Sequence, residues 1–367
     1  MLNSTRKINM NNSRKYIVLL LLLTTGQFAF AQADTAKEKA QMMATQAILF
    51  EGQGKTAEAI PLLEGAKKLD SGNINYPYEL AVIYYTRKDY SKAQQILEPL
   101  LNHKDVSGMI YQVLGNVYDD LGKTDLAVTT YEKGLKLFPK TAALYLEMGI
   151  IQLKKKEYNM ALQYFEKGIV ANPMYASNYY RVTKLFCNSS EPVWGVIYGE
   201  IFMNLERNSD RTGEISKLLF DTYKKHINFP RDSSFSVSFS TTISLIPDKN
   251  KKPFAKDFYE PTVMVSMLGE KKVDISSLCR MRKKFVDSYI RSGNYQRYPN
   301  ALFSYQYKVS KAGYIDAYNH WILQDGDTTA FSSWLGSNKN NWDKFMAWFK
   351  KNPLLLDDTY KFYHEQY

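Results

Sequence analysis

The chain has 367 residues, 45% of them hydrophobic and 23% charged, with 48 Lys and Arg against 37 Asp and Glu. This length and apolar content leave room for two folded units, each with its own core. The net charge of +11 is interspersed with acids, as in Lys154-Lys155-Lys156-Glu157, so a nucleic-acid partner is not expected.

The first thirty-odd residues read as a secretory signal. Arg6, Lys7, Arg14 and Lys15 precede the apolar run 17–23, and Ala29-Phe30-Ala31 places small residues at −3 and −1 of a cleavage point after Ala31. The run is far shorter than the roughly 20 apolar residues a membrane-spanning helix needs. No cysteine lies near that point to carry a lipoprotein anchor. Residues 1–31 are therefore expected to be removed and the rest exported to the periplasm or beyond. Removal takes those four positive charges and no negative ones, so +11 becomes +7. Such an excess suits an acidic partner, an anionic envelope polymer or a membrane surface. Cys187 and Cys279 would pair in that compartment only if the fold brought their Cα atoms within about 7 Å, and the sequence leaves a bridge and two buried thiols both open.

From residue 40 the chain repeats itself every 34 residues, with copies at 40–73, 74–107, 108–141 and 142–175 that align without a gap. The eighth column holds Ala47, Ala81, Gly115 and Gly149, and the twentieth Ala59, Ala93, Ala127 and Ala161. Small residues recur where two antiparallel helices must touch. Large ones fill the flanking grooves: Phe50, Tyr84, Tyr118 and Gln152 in the eleventh column, Leu63, Leu97, Tyr131 and Phe165 in the twenty-fourth. Gly54, Lys88, Gly122 and Lys156 mark the turn inside each hairpin, and Pro139 and Pro173 stop helices at repeat ends. Pro77 is expected to delay its helix by a residue or two.

This pattern resembles the tetratricopeptide repeat family, down to the set Leu114, Gly115, Tyr118, Ala127, Tyr131 and Pro139. The resemblance implies a mainly α fold: a right-handed solenoid over 32–209, closed by a divergent fifth hairpin at 176–209. It also implies a concave partner-binding face lined by Tyr78, Glu79, Val82 and Tyr85, by Gln112, Asn116, Asp119 and Asp120, by Leu146, Glu147 and Ile150, and by Tyr180, Arg181 and Lys184. The family's clamp for a terminal carboxylate needs Lys and Asn where this chain has Ala44 and Ile48, so that specificity is absent.

Beyond residue 210 the repeat register is lost. An amphipathic helix over 214–226 is followed by strict alternation over 233–246, a strand signature, and by an apolar run at 262–268 that is expected to pair with it. The Lys- and Pro-rich stretch between them, 248–260, reads as an exposed loop. A lone ribbon is marginally stable, so it should lie on a helix, for which 275–290 is the candidate. From 301 onward short helices dense in aromatics follow. Their default role is a packed core, and a sugar-binding platform is the alternative.

No catalytic signature is present. His103, His226, His320 and His364 are scattered, and neither a His-Glu-x-x-His pair, a Gly-x-Ser-x-Gly turn nor a phosphate-cradling loop occurs. Neither a cofactor nor a metal is expected. The sequence thus points to a non-enzymatic interaction scaffold of the bacterial envelope that takes a peptide or helix of another protein. The alternative is an enzyme or a carbohydrate-binding protein with its activity in residues 210–367.

Overall fold

The structure, a computed structural model, describes residues 36–231, 234–241 and 253–367. The expected leader and its cleavage point, the strand beyond Thr241 and the first part of the 248–260 loop lie outside the described residues. The chain divides into two compact units, one ending at Ile151 and the other spanning Gln152–Tyr367.

The first unit is built of helical hairpins. Helices α1 (Ala36–Gly52) and α2 (Thr56–Leu69), α3 (Asn75–Thr86) and α4 (Tyr90–Leu100), and α5 (Gly108–Asp120) and α6 (Thr124–Leu137) pair in sequence, and α7 (Ala142–Lys154) begins the fourth hairpin. Ala47, Ala59, Ala81, Ala93 and Ala127 are fully buried, as the small columns require. Gly115 shows why size matters there: a Cβ at that position would sit 2.1 Å from the Tyr131 ring. Pro77 lies in the first turn of α3, where its missing N–H has no intrahelical partner to lose, and the helix starts at Asn75.

Every hairpin turn has the same backbone geometry. Gly54, Lys88 and Gly122 have φ of 75°, 64° and 78°. The next residue's N–H reaches back to the eleventh-column carbonyl: Lys55 to Phe50, Asp89 to Tyr84, Lys123 to Tyr118, at 2.8–2.9 Å. This left-handed closure satisfies carbonyls at the helix end and is ordinarily made by glycine. Lys88 accepts the steric cost of the same conformation.

The second unit opens with the same turn, Lys156 at φ 62° and Glu157 N–H on the Gln152 carbonyl. Helices α8 (Tyr158–Ala171), α9 (Ala176–Cys187) and α10 (Pro192–Leu205) follow, and the α9–α10 crossing is close enough that a Cβ on Gly195 would meet the Cys187 backbone nitrogen at 2.6 Å. The expected boundary at 209/210 falls inside this unit. Helix α11 (Asp210–His226) starts four residues earlier than the periodicity suggests, because Ser209 and Thr212 form a reciprocal capping box. Helices α12 (Glu260–Ser266), α13 (Ile275–Arg291), α14 (Asn294–Arg297), α15 (Ala301–Lys311), α16 (Ile315–Leu323) and α17 (Thr328–Lys351) complete the order.

The strand expectations need correction. A two-stranded antiparallel ribbon exists, but it joins β1 (Ile227–Arg231) to β2 (Ser234–Val237), with Ile227 opposite Val237. The partner expected at 262–268 is helical: Val263, Ser266 and Met267 point inward at helical spacing. An apolar run this short has no decisive period, so context sets its state. Residues 253–260 are likewise no exposed loop. A π-helical turn, Ala255–Tyr259, runs into α12, and Phe254 and Phe258 are buried. The Glu260 carboxylate caps the ribbon's exit by accepting the N–H groups of Phe239 and Ser240 at 2.6 and 2.7 Å.

The core of this unit is aromatic. Phe254 packs on Trp194 (5.0 Å between ring centroids), Tyr367 (4.6 Å) and Phe258 (5.4 Å), and Phe285 and Phe303 meet edge to face at 5.1 Å. Trp321, Phe345 and Phe349 form a second cluster, in keeping with the packed-core reading of these rings. Residues 352–367 return to the repeat helices. Leu356 N–H points at the Met174 sulfur, Phe362 packs on Tyr198, and His364 Nδ1 lies 2.6 Å from the buried Glu166 carboxylate. Cys187 and Cys279 are both free and buried, and burial pushes the Cys187 thiol up to about 12.

Candidate functional site: the repeat face and a buried charge centre

The residues expected to line the concave face fall into two sets. In the first unit, Val82, Tyr85, Gln112, Asn116 and Asp119 are buried, Tyr78 and Ile150 are half-buried, and Asp120 is exposed. Much of this polar surface bonds within the protein. Gln112 Nε2 and Asn116 Nδ2 both donate to Glu147 Oε1, at 2.9 and 3.2 Å, and Tyr131 OH donates to Asn116 Oδ1 at 2.6 Å. Tyr85 OH donates to Asp120 at 2.7 Å, which ties α3 to α5. Glutamine and asparagine thus link consecutive hairpins through one carboxylate, leaving Tyr78, Glu79, Asp120 and Ile150 as the accessible members.

In the second unit Tyr180 is the centre of the set. Its hydroxyl donates to Glu214 Oε2 at 2.5 Å, and Lys184 Nζ lies 2.5 Å from the other oxygen of that carboxylate. Arg181, Lys184 and Arg211 surround the ring, 5.6, 5.2 and 4.9 Å from its centroid. Burial opposes charge on Glu214, yet its bonds from Lys184 and Tyr180 leave it below the usual carboxylate range. Arg211 also pairs with the buried Glu206. Tyr180, Arg181 and Lys184 were readable from their repeat columns, whereas Glu214 and Arg211 come from the next helix, outside those columns.

A charge centre that sequence reasoning missed lies deeper in the second unit. Glu200 and Arg282 are only 2% and 4% exposed, and Arg282 Nη2 lies 2.7 Å from Glu200 Oε1. That oxygen also accepts from Gln306 (2.5 Å) and Tyr318 (2.8 Å), while Arg282 donates to Asn319 (2.9 Å) and Tyr223 (3.2 Å). A cavity of about 20 Å³ adjoins the pair, lined by Tyr259, Val263 and Phe285 among others. Its size suits a water molecule rather than an organic substrate. The signal was present: Glu200 interrupts the apolar α10, and Arg282 replaces an apolar residue in the stripe Leu278, Cys279, Phe285, Val286 and Tyr289. Among the described residues no group of three or more His, Cys, Asp or Glu is placed to hold a metal ion.

His320 offers a pH dependence. Its ring is buried, stacked 3.9 Å from Trp334, with Nε2 unbonded. Burial pushes it below the ordinary histidine value, against the raising effect of Asp316. Between the two values the unfolded chain binds more protons than the folded one, so stability falls as pH falls through that window. His226, also lowered mainly by burial, acts in the same direction. Urea midpoints from tryptophan fluorescence should therefore drop between pH 7.5 and pH 5.5, and by less in His320→Phe.

The tetratricopeptide repeat signature matches residues 51–114, 110–141 and 142–173. Residues 51–173 are tetratricopeptide repeats. This repeat protein is similar to the BBSome complex member BBS4 of Bos taurus, 27% identical over 120 residues, which are 33% of this chain and 23% of that one. The match thus spans about a quarter of the curated relative's length. Among solved structures, the Pseudomonas aeruginosa pilF protein is 18% identical with a TM-score of 0.43, covering 52% of this chain and 85% of that one. A thermophilic tetratricopeptide protein of Thermus thermophilus is 15% identical with the same TM-score, covering 49% and 98%.

Proposed function

We propose that this protein is an exported, non-enzymatic scaffold of the bacterial envelope whose repeat face takes an extended segment or helix of another protein. Tetratricopeptide repeats in general serve protein interaction, and the consecutive hairpins over 51–173 are the observation that carries this reading. Export rests on the leader-like residues 1–31. Within the first unit, Tyr78, Glu79, Asp120 and Ile150 are the positions a partner reaches without breaking the Gln112–Glu147–Asn116 network. Tyrosine suits such contact because it offers a large amphipathic surface at little entropic cost.

The test is a crosslinking pull-down from the native envelope, comparing the parent chain with Tyr78→Ala/Ile150→Glu. These two positions are half-buried, so helicity should be kept. A consistent protein partner recovered with the parent and reduced about tenfold with the variant is the expected result, the loss of one or two interface anchors. Equal recovery with both would remove the groove from the reading. Cell fractionation that leaves the chain in the cytoplasm with residues 1–31 intact would remove the export.

A further inference from the structure

Helix α12 and the turn that ends it carry apolar side chains both inward and outward. Val263 and Met267 are fully buried against the unit, as expected for a helix lying on a core. The outward positions are apolar too: Met264, Val265 and Leu268 are 42%, 61% and 59% exposed, and Pro261 is exposed beside them. A surface helix ordinarily carries polar residues outward, and contiguous exposed apolar side chains mark an interaction site where scattered ones do not. Here three of them lie at i, i+1 and i+4, one strip along a short helix and its last turn.

The strip is rimmed by cations. Lys284 Nζ lies 3.3 Å from the Leu268 carbonyl, which puts an ammonium at the edge of the apolar surface. Lys271 and Lys272 follow Leu268 within four residues, and Arg280 and Lys283 stand on the exposed side of α13. Glu270 is held by Arg280 and approached by Lys284, and Lys272 pairs with Asp274. Lys271 and Lys283 have no ion pair among the described residues. An apolar strip bordered by lysines matches a lipid surface in which acyl chains lie below a layer of anionic headgroups. Long lysine stems reach upward while the strip sinks.

We propose that Met264, Val265 and Leu268, with Lys271, Lys272, Lys283 and Lys284 around them, form a peripheral docking site for anionic phospholipid membranes. A few apolar side chains and a few lysines give reversible binding, not anchoring. This site is separate from the repeat face, so either reading can fail alone.

The test is cosedimentation with vesicles of phosphatidylcholine containing about 30% phosphatidylglycerol, at low and high salt. The full chain and the chain starting at Gln32 are both used, each as parent and as variants, so that the apolar run at residues 17–23 is controlled. Binding at low salt, weakened by salt, is expected, with Val265→Glu/Leu268→Glu weaker by about tenfold or more and Lys271→Glu/Lys272→Glu by a similar factor. The first pair is mostly exposed, and circular dichroism confirms that each variant is folded. Val265→Trp supplies a second readout: the difference between its emission and that of the parent, which carries the five native tryptophans, should shift to the blue with anionic vesicles and be quenched by brominated acyl chains. Absence of binding by the parent, equal binding by the Val265/Leu268 variant, or self-association through this strip without vesicle binding would each overturn the proposal.

Discussion

Arg282→Ala should lower the unfolding free energy of the second unit by roughly 3–5 kcal/mol, because it strands the Glu200 carboxylate without its cation in a buried site. Gln306 and Tyr318 would still donate to that carboxylate, but two neutral donors do not replace a guanidinium. The double variant Glu200→Gln/Arg282→Met should recover most of the loss. A neutral amide keeps the acceptor for Gln306 and Tyr318, and methionine fills much of the vacated volume. All five tryptophans, at 194, 321, 334, 342 and 348, lie in this unit, so urea titration followed by their fluorescence reports on it directly. A single variant as stable as the parent would mean that loss of the guanidinium does not strand the Glu200 carboxylate.

Gly115→Val should cost the first unit about 3 kcal/mol or more. A Cβ there meets the Tyr131 ring at 2.1 Å, so the ring must move, and its hydroxyl then leaves Asn116, which in turn holds Glu147. Overpacking and a lost buried hydrogen bond act together. Gly122→Ala separates this from backbone strain. Nothing lies within 4 Å of its added Cβ, so only the left-handed φ of 78° opposes it, at about 1 kcal/mol. Far-UV circular dichroism in urea should rank Gly115→Val well below Gly122→Ala. The reverse order would mean that the small column is not a contact column.

The repeats were legible because each column carries a separate physical demand: small at the crossing, large in the groove, left-handed at the turn. Lys88 and Lys156 show that column position, not residue type, sets that turn. The ribbon was half legible. Alternation around Phe235, Val237 and Phe239 is real, but Asn228-Phe229-Pro230 in β1 carries a proline and no clear alternation, so its partner was hidden and the stronger apolar run at 262–268 took its place. The candidate face was readable by column. Its burial was not, since whether Gln112 and Asn116 meet solvent depends on Glu147 in the next repeat and Tyr131 across the hairpin. The Glu200–Arg282 pair joins residues 82 apart in the chain, and no local pattern links them.

The return of residues 352–367 to the helices of the fourth and fifth hairpins bears on how the two units acquire their structure. In the first unit, contacts run between a hairpin and its neighbours, with short chain separations, so ordering can begin at any hairpin and spread. In the second, His364 must find Glu166 across 198 residues, and Leu356 must find Met174 across 182. Closing loops of that length is costly in chain entropy until the core rewards it, which slows folding. The first unit is thus expected to reach its native state early and fray repeat by repeat, and the second to form late and come apart as one block.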